Sequence, residues 1–286
     1  MTVGDGPSRM IMIGDRPVSA IGLGGAGWSL GDRVDVAQSV ATLHAALAAG
    51  IRLIDTARAY TTVTDESHNE DLIALALHDH PLRDEVLVAT KGGHYRAGRD
   101  SFPFDGRPAT LRQHCEASLR HLGVERIGLY QLHHPDPEVP IEESVLALRE
   151  LQDEGKIAMI GVSNVSLTLL RRAQSVAGIA SVQNQFSLFH HEDPELLAAC
   201  AEAGIAYLAY SPLGGGRVGE LVASESIRAV ADAHDATPVQ VALAWLRSVG
   251  NPVIPIVGTR RAEAIVEAAG ALGIDLDPDE VARISS

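Results

Sequence analysis

Eight short apolar runs alternate with eight longer helix-patterned stretches along this chain, and few folds accommodate that rhythm. The expected strands are Ile21-Gly22-Leu23, Leu53-Ile54-Asp55, Val86–Thr90, Ile127–Leu132, Met159–Val162, Ala180–Gln183, Ala206–Tyr210 and Val253–Ile256. The expected helices are Val36–Ala49, Asn69–Leu77, Ala109–Leu122, Ile141–Glu154, Ser166–Val176, Pro194–Ala203, Pro238–Val249 and Ala262–Ala269. Gly50, Gly123, Gly155 and Gly204 stand where helices stop, and Asp193-Pro194 and Thr237-Pro238 where they start. The pattern predicts a (β/α)8 TIM barrel. Its 286 residues form one domain, 1–286, since such barrels commonly take about 250. A doubly wound open sheet is the rival. It would open with a Gly-x-Gly-x-x-Gly turn running straight into a helix. Gly22-Leu23-Gly24-Gly25-Ala26-Gly27 matches that only loosely. Ahead of the first strand, Met10–Ile13, Gly14-Asp15-Arg16 and Pro17–Ala20 read as a β-hairpin that plugs one end.

Composition removes several classes of function. A formal charge of −14 argues against nucleic acid and against an anionic membrane surface. Met1 to Arg16 holds no long apolar run, so neither a signal peptide nor a spanning helix is expected and a cytoplasmic location is. Cys115 and Cys200 lack partners at ligand spacing, so they read as reduced thiols and no metal site is expected. The oligomeric state is left open.

Four residues carry the chemistry. Asp55, Lys91 and His133 each end an apolar run, and Tyr60 follows Asp55 closely. Parallel strands would deliver all four to one end of one sheet, where barrels keep their active sites. A free phenol titrates near ~10. An ammonium at Lys91 is expected to lower that value and make Tyr60 a general acid, with Asp55 pairing Lys91 and His133 orienting a carbonyl oxygen. Singly, each has a plainer explanation: a helix cap, a half-buried core ring, a solvated ammonium, a packing imidazole. Their joint placement favours catalysis.

At these residues the chain resembles the aldo-keto reductase superfamily. Asp55-Thr56-Ala57-Arg58-Ala59-Tyr60, Thr90-Lys91-Gly92-Gly93 and Leu129-Tyr130-Gln131-Leu132-His133 are similar to its motifs, in its order. So are Gly155-Lys156-Ile157, Ile160-Gly161-Val162-Ser163-Asn164, Gln183-Asn184-Gln185-Phe186 and Tyr210-Ser211-Pro212-Leu213-Gly214-Gly215-Gly216. The resemblance covers essentially the whole chain. It gives His133, not His134, the catalytic position. It implies a reductase passing hydride from NADPH, with NADH possible, to a small-molecule aldehyde or ketone. Ser163, Asn164 and Gln183 would hold the nicotinamide carboxamide, and Tyr210 would lie under the ring. Gly24, Gly258 and the loop Ser211, Pro212, Leu213, Gly214 to Gly216 would follow the cofactor's length. Thr259, Arg260 and Glu267 would meet the adenosine end, Arg260 suiting a phosphate. Trp28, His94, Tyr95 and Phe102 are candidate pocket walls. Three departures stand out. The segment Thr61 to His68 is long and glycine-free, Ala264 and Ala268 stand where relatives carry a basic residue and Asn, and little chain follows Asp277-Pro278-Asp279 to line a pocket. The resemblance also admits a sugar or alcohol dehydrogenase using NAD, and a cofactor-binding regulatory subunit like the potassium-channel β subunits.

Overall fold

The computed structural model describes residues 9–30, 34–191, 193–250 and 253–285. Met10–Ile13 (β1) and Arg16–Ser19 (β2) pair antiparallel in a separate two-stranded sheet. The remaining strands are β3 (Gly22–Gly24), β4 (Leu53–Asp55), β5 (Leu87–Gly92), β6 (Ile127–Leu132), β7 (Ile157–Ser163), β8 (Ile179–Gln185), β9 (Ala206–Tyr210) and β10 (Val253–Gly258). Each pairs in parallel with the next, and β10 returns to β3, so the sheet closes into a barrel. Helices run between them: α1 (Val36–Ala48), α2 (His68–Leu77), α3 (Pro108–Leu122), α4 (Ile141–Asp153), α5 (Leu167–Gln174) and α6 (Pro194–Glu202). Past β9 come α7 (Val218–Ala223), α8 (Glu225–Ala233) and α9 (Pro238–Ser248), and past β10 come α10 (Ala262–Ala269) and α11 (Pro278–Ser285).

Local chemistry sets the helix ends. Asp35, Ser166, Asp193 and Thr237 accept backbone N–H bonds at helix starts, and Thr237 closes a full capping box with Gln240. Gly123 ends α3 in the left-handed conformation. Three helices lie outside the sequence expectation. The stretch holding α7 and α8 is short and broken at Ser224, which caps α8, and α11 starts at Pro278 where the sequence suggests only a tail. Trp245 Nε1 donates to Ser285 Oγ at 2.8 Å and His234 pairs with Glu280 at 2.9 Å, so α11 lies on the outer wall.

The pleat divides each strand between two environments. Outward residues such as Ile54, Tyr130, Leu132, Ile160, Val162, Val182 and Tyr207 join the helices in one large core. Inward residues Leu53, Leu87, Ala89, Leu129, Met159, Ala206, Leu208, Ile254 and Ile256 form a second core inside the barrel, and Ile13 and Val18 of the hairpin belong to it. The hairpin therefore plugs the N-terminal end of the barrel. Further along the same strands the buried residues of the inward-facing alternation turn polar: Asp55, Lys91, Gln131, Ser163 and Gln183. Among the described residues no helix is long and apolar enough to cross a membrane.

Candidate active site

Lys91 is the centre of the polar layer. It is fully buried, and its three protons have three acceptors. Nζ donates to Asp55 Oδ2 at 2.7 Å, to the Thr56 carbonyl at 2.9 Å and to Tyr60 Oη at 3.3 Å. Register explains the meeting: Asp55 lies beside Ala89, one inward position before Lys91 on the neighbouring strand. The second carboxylate oxygen, Asp55 Oδ1, accepts from Gln183 Nε2 at 2.8 Å. Tyr60 stands on the loop after β4, held by its backbone N–H donating to the Ala57 carbonyl. Because its oxygen accepts from the ammonium, its own proton points away from Lys91.

Electrostatics here differ in one respect from the sequence expectation. Burial pulls the Lys91 ammonium down, but the Asp55 carboxylate and Tyr60 outweigh it and leave the pKa above the usual lysine value. Burial pushes the Tyr60 phenol up, Lys91 pulls it down and Asp55 pushes it up again, and the net is above the ordinary tyrosine value. The expected lowering of Tyr60 is thus overturned: desolvation exceeds the attraction of the ammonium, which Asp55 already offsets. Tyr60 is a phenol, not a phenolate, at neutral pH.

Next to Tyr60 stands His133, ring edge to ring face with centroids 5.8 Å apart. Burial, followed by Lys91, His94 and His134, depresses its pKa well below the usual imidazole range, so the ring is neutral. Its Nδ1 is buried without a partner. A buried lone pair costs less unpaired than a buried N–H, which puts the ring proton on Nε2. His134 stacks on His133 at 5.2 Å, and burial and His94 bring its pKa down to about 4.

The cavity beside these residues has a volume of about 400 Å³ and opens at the C-terminal ends of the strands. Asp55, Tyr60, His133 and His134 border it, as do Gly24, Ser163, Asn164, Gln183, Tyr210, Ser211, Pro212, Leu213 and Gly258. Two of these hold left-handed backbone without being glycine, Asn164 at φ 58° and Ser211 at φ 49°. Such conformations cluster where a binding surface imposes them. Asn164 is held by Tyr210, whose hydroxyl donates to Oδ1 at 2.8 Å, while Ser163 Oγ donates to the Gln183 carbonyl at 2.7 Å. Gly214, at φ 80°, has no room for a side chain, since a Cβ there would sit 2.3 Å from the Phe189 ring. The loop therefore turns tightly over Phe189 and brings Gly215 to the cavity edge. A larger cavity of about 830 Å³ lies elsewhere, bordered by Asp15, Arg16 and Asp84 toward the hairpin end, and none of the polar layer borders it.

Other expected residues lie further out. Gly216 is past the cavity edge in a short 3-10 turn. Thr259 accepts the Trp28 indole N–H on its carbonyl at 2.8 Å, and Arg260 is exposed, two residues past Gly258 of the cavity edge, with its carbonyl bound by Thr42. Glu267 uses its carbonyl to hold Gln240 on α9. Trp28 is buried behind Gly25, and Tyr95 packs on His114. Neither borders the cavity. His94 lies against His133 at 4.7 Å and His134 at 5.0 Å, and Phe104 rather than Phe102 stacks on His134. Sequence reasoning passed over Asn69. Its amide donates to the Gly25 carbonyl and Ser29 Oγ while its oxygen accepts from Thr56 Oγ1 at 2.6 Å, tying the loops after β3 and β4 together. The only sequence signal was a polar residue at a helix start.

The donor set fits a nicotinamide cofactor: amide and hydroxyl groups on one wall, a phenol ring on another, and a glycine-bearing loop at the rim. Comparison with known proteins adds to this. Residues 20–286 match the model of the aldo/keto reductase family. The Glycine max protein named "Probable aldo-keto reductase 1" is 33% identical over 297 residues, covering 93% of this chain and 84% of its own. The structure of the glycerol dehydrogenase from Gluconobacter oxydans superposes with a TM-score of 0.87 at 30% identity, over 97% of this chain and 94% of that one. An aldo/keto reductase from Klebsiella pneumoniae, solved with NADP and acetate, gives a TM-score of 0.80 at 29% identity, over 94% and 90%.

Proposed function

The chain belongs to the aldo/keto reductase family, and from that premise we propose that it works as a single-domain NADPH-dependent carbonyl reductase in which Tyr60 is the general acid. The observation that carries this reading is the contact of the buried Lys91 ammonium with both Asp55 and Tyr60 at the cavity wall. Ser163, Asn164 and Gln183 would hold the carboxamide, Tyr210 the ring face, and Ser211 to Gly216 the pyrophosphate. Thr259 and Arg260 would take the adenosine phosphate. A nicotinamide bound there supplies the hydride.

This chain's residues do the rest. His133, with Nε2 protonated, donates to the substrate carbonyl oxygen and fixes its position. Tyr60 Oη, also within reach, gives that oxygen its proton as negative charge develops. The phenolate left behind is the anion the Lys91 ammonium is placed to hold, and it is stabilised only once it forms. This is how a group with a raised resting pKa can still act as an acid: the favourable interaction grows along the reaction. Asp55 keeps Lys91 charged and aimed. The same groups run in reverse would oxidise an alcohol, and similarity to a glycerol dehydrogenase supports that second reading.

The test is oxidation of NADPH, followed by absorbance, over a panel of aldehydes and ketones, and reduction of NADP and NAD over a panel of polyols. Turnover with carbonyls that Tyr60→Phe abolishes supports the first reading. Turnover only with polyols supports the second. Cofactor binding with no turnover in either panel would mean a regulatory binding protein.

A further inference from the structure

Three imidazoles meet beside the cavity, and only His133 has work in the proposed reaction. One ring nitrogen from each of His94, His133 and His134 lies within 4.8 Å of one from each of the others. The rings come from two neighbouring strands, His94 just past β5 and the consecutive pair just past β6. We propose that His94, His133 and His134 form a binding site for a late first-row divalent cation of the Zn2+ type, a class that three neutral imidazoles suit.

The hydrogen bonds leave the right atoms free. His94 Nε2 lies 3.0 Å from the Phe102 carbonyl, which can only accept, so that nitrogen carries the proton and Nδ1 carries the lone pair. Nδ1 is buried with no partner. A metal-bound histidine usually has this arrangement, with the far N–H held by a backbone carbonyl. His133 is buried, and its Nδ1 is likewise without a partner. His134 Nε2 lies 3.2 Å from Asn164 Nδ2. An amide nitrogen only donates, so the His134 lone pair is at Nε2. That amide has two protons, and the His133 carbonyl and Ser163 Oγ, both at 3.0 Å, can take them if His134 turns to a metal.

Distances set what must move. Zinc bonds imidazole nitrogen at about 2.0–2.1 Å, which separates tetrahedral ligand nitrogens by about 3.4 Å. The rings must therefore close by up to about 1.5 Å, a side-chain rotation and not a backbone change. Ring centroids lie 4.7, 5.0 and 5.2 Å apart, and the stacked His133–His134 pair must swing out of its stack so that one ion can lie in the plane of both rings. The fourth position would face the cavity that His133 and His134 border.

The plainer alternative is a wall of packed rings, and two substitutions separate it from a site. His94→Phe and His134→Phe keep a ring and remove the lone pair. Untagged chain is titrated with Zn2+ by calorimetry, and with Co2+ by visible absorbance. The expected result is one ion per chain, a tetrahedral Co2+ band, and affinity lower by at least about tenfold in each variant. Exposed His78→Gln should change nothing. If either variant fails to fold, electron paramagnetic resonance of Cu2+ bound to the unaltered chain counts its nitrogen ligands. No stoichiometric uptake, unchanged affinity in His94→Phe and His134→Phe, or a bound Cu2+ with a single nitrogen ligand would overturn the proposal. The test reads binding alone, so it stands whether or not the chain reduces carbonyls.

Discussion

Removing both halves of the Asp55–Lys91 pair should cost well under the sum of removing each alone. The charges are 2.7 Å apart, with side-chain exposures of 0% for Lys91 and 4% for Asp55. At an effective dielectric constant near 20 their attraction is about 6 kcal/mol. That gain offsets the cost of taking two ions out of water, so the net value of the intact pair is small. Asp55→Asn keeps the shape, and Gln183 can turn its amide to meet the new one. The ammonium, however, keeps only neutral acceptors, the new amide oxygen, the Thr56 carbonyl and the Tyr60 hydroxyl, and loses its counter-charge. Breaking a buried pair in this way costs about 3–5 kcal/mol. Lys91→Met should cost a similar amount by stranding the carboxylate. The double variant Asp55→Asn/Lys91→Met has no stranded charge, so its loss should fall well short of the sum, with a coupling of about 2 kcal/mol or more. Urea unfolding followed by circular dichroism measures all four species. Additive losses would refute the reasoning, because they would mean that neither charge depends on the other.

Four further outcomes follow from the same geometry. Tyr60→Phe should lower carbonyl turnover by about 10²-fold or more while cofactor affinity, measured by fluorescence quenching, stays within about twofold. Arg260→Ala should raise the NADPH dissociation constant about ten- to a hundredfold, the worth of a charge-assisted contact, and leave NADH nearly unchanged. Gly214→Ala forces a Cβ toward Phe189 at a backbone φ of 80°, so a stability loss of about 1–3 kcal/mol is expected in thermal unfolding. Acid should also destabilise the fold. Burial lowers His114 and His134 from 6.5 to about 4, so between those values the unfolded chain binds more protons and stability falls with pH. After allowing for the partial exposure of both rings, about 1 kcal/mol each should be lost by pH 5 in denaturant titrations. A flat profile from pH 7 to 5 would mean these rings are not desolvated.

Much of the fold was readable because strands and helices here obey different rhythms. Leu53-Ile54-Asp55, Ile127–Leu132 and Ala206–Tyr210 end where an apolar run meets a polar group or a turn, and the strands end there too. The segment from Val218 to Ala233 was illegible: its two short helices bury few residues, so no long periodic stripe marks them. The gathering of Asp55, Tyr60, Lys91 and His133 followed from strand order. The sign of the Tyr60 shift did not, since it depends on how far burial outweighs one ammonium, and a sequence carries no depth. Trp28 and Tyr95 show the opposite limit. An aromatic residue near a strand end can face the cavity or the wall, and only the turn geometry decides.

The hairpin at the far end of the barrel has a bearing on where protons come from. Ile13 and Val18 fill the interior below the polar layer, together with Leu53, Leu129 and Met159. An apolar layer thus separates the hairpin end from the polar layer that holds Lys91. In the proposed reaction, a proton given away by Tyr60 would be restored through the mouth that admits the reactants. With reactants filling that mouth, the ammonium, phenol and carboxylate would hold protons for a single transfer. The resupply of the phenol is then tied to the departure of product, and its rate should follow the opening of the mouth and not the buffer strength outside.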